Sequence, residues 1–324
     1  MSSENESKGS NFYKYITIGL AAVILVGGGI WYVGNVSSKQ AATEAALSAA
    51  KAEIASQKTK DAADLTIKGQ KSAKVYEEYM KQSASFRFIA SNFRQTAENI
   101  ETFLVKSPQL RGSANFDIRD VVGLGARYYD NAVTLASSID FRNLDADLIE
   151  YINKNREIDL EAKKVYEDYA ATGRKPDEYL VLLTNKRNKL IENNEQALIT
   201  KFANQYGITL APSDEIRKEA QKNLLTESKT FAAGLTPGGV AQQLIGKTFT
   251  NSENNQKWKL GASQFFAGSF ATKTAREGVV SVITTIQVKN PKTNNTGALT
   301  ALAVYAKPSD DNVLEWPMIL SICF

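Results

Sequence analysis

The chain contains no histidine and only one cysteine, Cys323, among 324 residues. Without histidine it cannot form a Ser-His-Asp triad, use a histidine general base or bind a metal through imidazole. One thiol per chain also excludes an internal disulfide and zinc or iron–sulfur sites built from cysteine ligands. We interpret Cys323 as a small apolar residue of a last strand, with an intermolecular disulfide as the alternative.

Complete catalytic motifs are lacking as well. Gly246-Lys247-Thr248 resembles the end of a phosphate-binding loop, but Ala241 stands where that loop requires glycine. Ser48 and Lys51 have the spacing of serine acyl enzymes without the partner motifs, in an alanine-rich stretch. Asp145-Ala146-Asp147 begins like a calcium loop that the later residues do not complete. The sequence therefore predicts no catalytic, cofactor-binding or metal-binding residue and favours a protein that is not an enzyme.

A strong excess of one charge is also missing, because the formal net charge is only +4 and acidic and basic residues are mixed throughout. A nucleic-acid-binding protein concentrates basic residues on one face. We therefore expect no nucleic-acid partner.

One long uncharged stretch, Ile16–Val33, dominates the N-terminal region. It is long enough to cross a bilayer core as a helix, at about 1.5 Å per residue. Aromatic residues crowd both of its ends, as in helices that pass through two headgroup layers. A buried soluble helix rarely has such ends, and the exit is a poor cleavage context for a signal peptide. We predict a single-pass signal anchor in which the membrane contacts include Tyr15, Ile16, Leu20, Ile24, Trp31 and Tyr32.

The orientation of this anchor follows from its flanks. Residues 1–15 form a short polar tail with Lys8 and Lys14, and nearly all of the chain follows the span. The positive-inside rule and this arrangement predict a cytoplasmic N-terminus. We therefore place the span in the inner (cytoplasmic) membrane, with residues 34–324 periplasmic or extracellular.

Helical patterns cover most of the chain after the anchor. Residues 34–74 are rich in good helix formers with few large apolar residues, which predicts a helical stalk. Weak pairing of two such stalks as a coiled coil is compatible with this pattern. Residues 75–234 carry four apolar stripes with helical spacing, which predicts an antiparallel helix bundle. The first stripe runs from Phe86 to Leu104. Asn115 and Asn143 are the predicted N-caps of the next two helices, and Gly173 is a predicted C-terminal stop.

Alternating apolar and polar residues replace this pattern in residues 235–324. They predict a small α+β domain in which one helix covers an antiparallel sheet of four or five strands. Lys257, Trp258 and Lys259 alternate within one strand. Either this alternation is purely structural, or the three residues form a binding surface for an anionic glycan, lipid or peptide.

The predicted fold is thus a single N-terminal transmembrane helix, a mainly α-helical stalk and antiparallel bundle, and a C-terminal α+β domain. This arrangement favours a membrane-anchored scaffold or adaptor that binds another cell-envelope protein, with deletion of residues 235–324 expected to abolish recruitment and leave the bundle folded. A homo-oligomer is compatible with it.

The alternative is an extracytoplasmic small-molecule sensor that acts through a separate signalling partner. Asn155, a polar residue on a bundle stripe, then either lines a ligand cavity or is a hydrogen-bonded buried amide. A hydrolase using carboxylates or a Ser–Lys pair is the least favoured reading.

Overall fold

The computed structural model describes residues 36–107, 117–250, 257–259, 261, 264–289, 295–307 and 314–323. Its contacts divide the chain into two compact units between Ile67 and Lys68. Among the described residues, no helix combines the length and the apolar character needed to cross a bilayer. The predicted span, Ile16–Val33, and the tail before it lie outside the described residues, so the anchor stays a prediction.

Helices form most of the described chain before residue 245. In chain order they are α1 Val36–Lys106, α2 Ile118–Ser138, α3 Ala146–Thr172, α4 Asp177–Leu190, α5 Gln196–Lys201, α6 Ser213–Gly234 and α7 Pro237–Leu244. A π-helical turn, Ile191–Glu195, joins α4 to α5, and a second one, Phe202–Tyr206, follows α5. The helical segment that begins with α4 therefore continues to Gly207, which ends it with a φ of +67°. Glycine adopts this left-handed conformation without the steric cost that other residues have.

The two parts of α1 differ in burial. In the first unit, its large apolar side chains, such as Leu47, Ile54 and Ile67, are exposed. Good helix formers rather than core packing therefore account for the helix there. In the second unit, the predicted stripe is confirmed, because Ile89, Phe93 and their neighbours at helical spacing are buried.

Two predicted N-caps are not the ones used. Asn115 lies outside the described residues, and the side chain of Asp117 caps α2 by accepting from the backbone N–H of Arg119 at 2.9 Å. Asp145, rather than Asn143, caps α3, and Asn143 instead adopts a φ of +60° in the preceding turn. Both helices thus begin two residues later than their predicted caps imply. Gly173 ends α3 as predicted, with a φ of +71°.

The C-terminal part contains a four-stranded antiparallel meander. Its strands, which lie in the order of the chain, are β3 Gln264–Arg276, β4 Val279–Lys289, β5 Thr296–Ala306 and β6 Leu314–Cys323. Two short strands, β1 Thr248–Thr250 and β2 Lys257–Lys259, pair separately as an antiparallel ladder. The description of the protein as a mostly helical region followed by an antiparallel sheet is therefore confirmed.

Helices cover both faces of this sheet, where one covering helix was predicted. On one face, Val280 and Val282 of β4 belong to a cluster with Ala232 of α6 and Val240 of α7. On the other face, Val279 and Ile283 of β4 share a core with residues of α1, α2 and α3. This second contact was not predicted, because the sequence of β4 alternates and indicates one polar face. Ile283 lies on that face and is nevertheless only 1 % exposed. The helices before residue 235 and the strands after it thus bury one common core.

The tight turn between β3 and β4 fixes the sheet to the helices. Glu277 and Gly278 form the turn, and the amide of Asn92 on α1 donates to the backbone carbonyl of Glu277 at 2.8 Å. The backbone N–H of Gly278 donates to Ser228 Oγ on α6 at 3.0 Å. A Cβ on Gly278 would lie 2.4 Å from a side-chain carbon of Ile89, so only glycine fits at this contact.

Candidate functional site

A buried carboxylate lies between two guanidinium groups within the helices of the second unit. Asp159 on α3 is fully buried. Arg87 donates to it twice, from Nε to Oδ1 and from Nη2 to Oδ2, each at 2.8 Å. Arg187 donates from Nη2 to Oδ1, also at 2.8 Å. We call these three residues the Arg–Asp cluster.

Three helices bring the cluster together. Asp159 and Asn155 are four residues apart on α3, which places them on one face of the helix, and both are buried. Arg87 comes from α1, directly after the partly buried Phe86. Arg187 comes from the last turn of α4. Charges so deeply buried require partners, and the cluster supplies them.

Electrostatics keep Asp159 ionised. Burial alone would raise the pKa of its carboxyl, but the charges of Arg87 and Arg187 and their hydrogen bonds more than offset this and hold the pKa below its usual value. The cluster at neutral pH therefore combines two positive charges and one negative charge. Both guanidinium groups share the one carboxylate, so the cluster carries a net charge of +1.

A cavity of about 220 Å³ opens beside the cluster. Arg87 and Arg187 both line it, and their side chains keep 15 % and 22 % of their surface exposed. Much of the remaining wall is apolar or aromatic. The other lining residues are Met80, Ala84, Phe88, Ser91, Tyr129, Tyr151, Asn155, Ile191, Ser213, Asp214 and Arg217.

Asn155 meets both descriptions that its sequence position allowed. It lines the cavity, and it is also a hydrogen-bonded buried amide. Its Nδ2 donates to the backbone carbonyl of Tyr151 at 3.1 Å, and its Oδ1 accepts from Arg87 Nη2 at 3.3 Å. The amide therefore orients the Arg87 guanidinium at the cavity wall.

A second buried carboxylate lies behind one wall of the cavity. Glu195, at the end of the first π-helical turn, accepts hydrogen bonds from the Tyr151 hydroxyl at 2.8 Å and from the Ser213 backbone N–H at 2.6 Å. The Ser213 hydroxyl donates to it at 2.5 Å. Burial and the nearby Glu195 charge raise the pKa of Tyr151 and keep its hydroxyl protonated as a donor. Three neutral donors thus compensate Glu195, and Tyr151 and Ser213 connect it to the cavity.

The binding surface predicted at Lys257, Trp258 and Lys259 has a backbone position only. The three residues form β2, and Trp258 pairs with Phe249 of β1. This confirms the strand, while the binding role of the three residues stays a prediction.

Two of the motifs considered in the sequence can be placed in the described part of the chain. The Ser48 hydroxyl donates to the carbonyl of Ala45 on the exposed part of α1, at 2.9 Å. In the described part of the chain, no group of three cysteine, aspartate or glutamate side chains is arranged to hold a metal ion. The Arg–Asp cluster and the cavity combine hydrogen-bond donors, positive charge and an apolar lining, which is a combination suited to binding a ligand.

Sequence reasoning named Asn155 but missed Arg87, Asp159 and Arg187. A signal was present on α3, where Asn155 and Asp159 interrupt the apolar stripe between Ile152 and Ala162. Two polar residues four apart on a buried face indicate a shared partner. The sequence did not show that this partner would come from α1 and α4.

No protein-family model, curated protein or solved structure matches this chain.

Proposed function

We propose that the chain is a membrane-anchored extracytoplasmic sensor without catalytic activity. In this proposal, residues 16–33 hold it in the cytoplasmic membrane, the helices of the second unit bind a small molecule, and a separate partner protein carries the signal. The observation that supports binding is the cavity beside the Arg–Asp cluster, in which two arginines with partly exposed side chains line a mostly apolar space. Ligand pockets commonly combine a mostly apolar lining with a few placed polar groups.

A ligand screen of the full-length protein in lipid nanodiscs tests the proposal. A compound that binds the folded state raises the melting temperature with increasing concentration. A variant of Ala84, which is buried and lines the cavity, tests whether the response comes from this cavity. The substitution Ala84→Leu fills space without changing charge, so it should weaken the response to a true cavity ligand. A flat response across a broad metabolite screen would contradict the sensor proposal.

A scaffold or adaptor that binds another envelope protein is the second candidate. It is supported by the edge position of β6, which hydrogen-bonds to β5 on one side and has no partner strand on the other side among the described residues. An edge strand can accept a strand from a partner chain. Pro317 interrupts the donors of β6, which limits such pairing to part of the strand.

Crosslinking in intact source cells, followed by affinity purification and mass spectrometry, separates the two candidates. One dominant, near-stoichiometric envelope partner whose recovery requires residues 314–323 would favour the scaffold. Recovery of the chain alone or as its own oligomer would favour the sensor. The anchor itself is tested by alkaline extraction of membranes, in which Leu20→Arg combined with Ile24→Arg should release the protein.

A further inference from the structure

We infer that the ligand of the cavity is a small monocarboxylate with a compact apolar body. This inference rests on the proposed binding function and adds the chemical class of the ligand. It follows from three properties of the site: the charge at one wall, the free donors on the two arginines, and the size and apolar character of the remaining space.

The charge favours an anion. Arg87 and Arg187 contact one carboxylate, Asp159, so the cluster has an excess positive charge. Glu195 does not neutralise it by contact, since its oxygens accept from Tyr151 and Ser213. Asp214, also on the cavity wall, pairs with Arg217 at 2.8 Å. A second carboxylate at the arginines would therefore compensate a charge that is costly to leave alone in a mostly buried position.

The hydrogen-bond donors favour a carboxylate. A guanidinium has five N–H donors. Within the described residues, Arg87 donates from Nε and Nη2, and its Nη1 has no acceptor at normal hydrogen-bond distance. The Tyr79 hydroxyl, which lies beside the Arg87 guanidinium, is a further polar group that acts on it. Arg187 donates from Nη2 to Asp159 and, at a long 3.5 Å, from Nη1 to Asn155. Its Nε has no acceptor among the described residues. Two arginines that line one cavity and keep unused N–H groups can supply donors to the two oxygens of a carboxylate.

The remaining space favours a compact apolar body. A cavity of about 150 Å³ holds benzene in a protein interior, so 220 Å³ admits a ring together with a carboxylate. Met80, Phe88 and Ile191 also line the space and carry no charge. Arg217, the remaining cation of the lining, is already paired with Asp214. A monocarboxylate of the size of benzoate fits these limits better than a dicarboxylate.

Three probes of one shape test the inference: benzoate, neutral benzamide and cationic benzylamine. Their binding to the full-length protein in nanodiscs is measured by isothermal titration calorimetry and by melting temperature. We expect benzoate to bind and the other two to bind at least about tenfold more weakly, because a charge-assisted hydrogen bond contributes roughly that factor or more.

Variants of Arg187 show whether the cluster is responsible. Arg187→Gln leaves Asp159 paired with Arg87, so the fold should persist while benzoate affinity falls by about 10- to 100-fold. Arg187→Lys keeps the positive charge but loses the planar guanidinium. Its affinity for benzoate should lie between that of the unchanged chain and that of Arg187→Gln. Arg142→Gln, the same change at an exposed residue, should bind benzoate like the unchanged chain.

The outcomes separate this inference from the proposed function. Binding of benzamide or benzylamine in preference to benzoate would overturn the carboxylate inference and keep the cavity as a ligand site. Benzoate binding that Arg187→Gln leaves unchanged would also overturn it. If none of the three probes binds, the inference fails, and only a flat metabolite screen in addition would overturn the sensor proposal.

Discussion

Arg87 holds the buried Asp159 in a two-pronged hydrogen bond, with Nε on one carboxylate oxygen and Nη2 on the other, each at 2.8 Å. The two residues are 72 positions apart in sequence. This pair, together with Arg187, joins α1, α3 and α4 at the cavity. The stability of the helices and the charge of the proposed site therefore depend on the same three side chains.

Removing the carboxylate should destabilise the protein strongly. Asp159→Asn leaves two largely buried guanidinium groups without a counter-charge, and breaking a buried ion pair from one side costs about 3–5 kcal/mol. Urea unfolding followed by circular dichroism measures the change. Asp140→Asn is the matched control, because Asp140 pairs with Arg142 at the surface and its loss should change the unfolding free energy far less. Equal effects of the two substitutions would contradict the structural role of Asp159.

Acid should weaken the fold through the same residue. The pKa of Asp159 is lowered in the folded protein, whereas an unfolded aspartate has a pKa near 3.9. The unfolded state therefore binds more protons as the pH falls through and below about 4, and the free energy of unfolding decreases in that range. Above it, the contribution is complete and independent of pH.

Unfolding titrations between about pH 6 and pH 3 measure this slope. The pKa of Asp145 is also lowered, because its hydrogen bonds from Tyr206 and Lys201 outweigh the effect of burial. Asp159→Asn should therefore make the acid dependence shallower without abolishing it. A slope identical to that of the unchanged chain would show that Asp159 does not titrate as the geometry implies.

The turn at Gly278 should tolerate no side chain. Gly278→Ala places a Cβ 2.4 Å from a side-chain carbon of Ile89 and also forces alanine to a φ of +75°. Gly246→Ala has a similar φ of +81° but open space around the new Cβ, so it measures the backbone cost alone, about 1–2 kcal/mol. Thermal unfolding should show a larger loss at residue 278, and Ile89→Ala should reduce the difference between the two alanine variants. Equal losses of stability in Gly278→Ala and Gly246→Ala would mean that Ile89 on α1 moves aside at little energetic cost.

Local features of the fold were predictable from sequence, and contacts between distant segments were not. The stripe from Phe86 to Leu104, the stop at Gly173 and the strand β4 depend on spacing and on residue type within short windows. The caps were displaced to Asp117 and Asp145 because several polar residues near each helix start can accept from a backbone N–H. The Arg–Asp cluster was missed since its three residues come from helices that periodicity does not place side by side.

Truncation after residue 234 should abolish the cooperative unfolding of the helices. The sequence pattern favours a bundle that folds without residues 235–324, but the structure gives α1, α2 and the sheet a common core. Deleting the strands would expose Ile89 and Phe93, which are fully buried, and losing burial of one such side chain costs about 1.5–3 kcal/mol. We expect the truncated chain to keep helical far-ultraviolet circular dichroism, lose its sharp thermal transition and bind a hydrophobic dye. A cooperative transition at the original temperature would show instead that the helices fold independently and that the boundary at residue 234 separates two folding units. The expected result would place the sheet within the same cooperative unit as the cavity, so that a partner bound at β6 and a ligand bound at Arg187 would act on one structure.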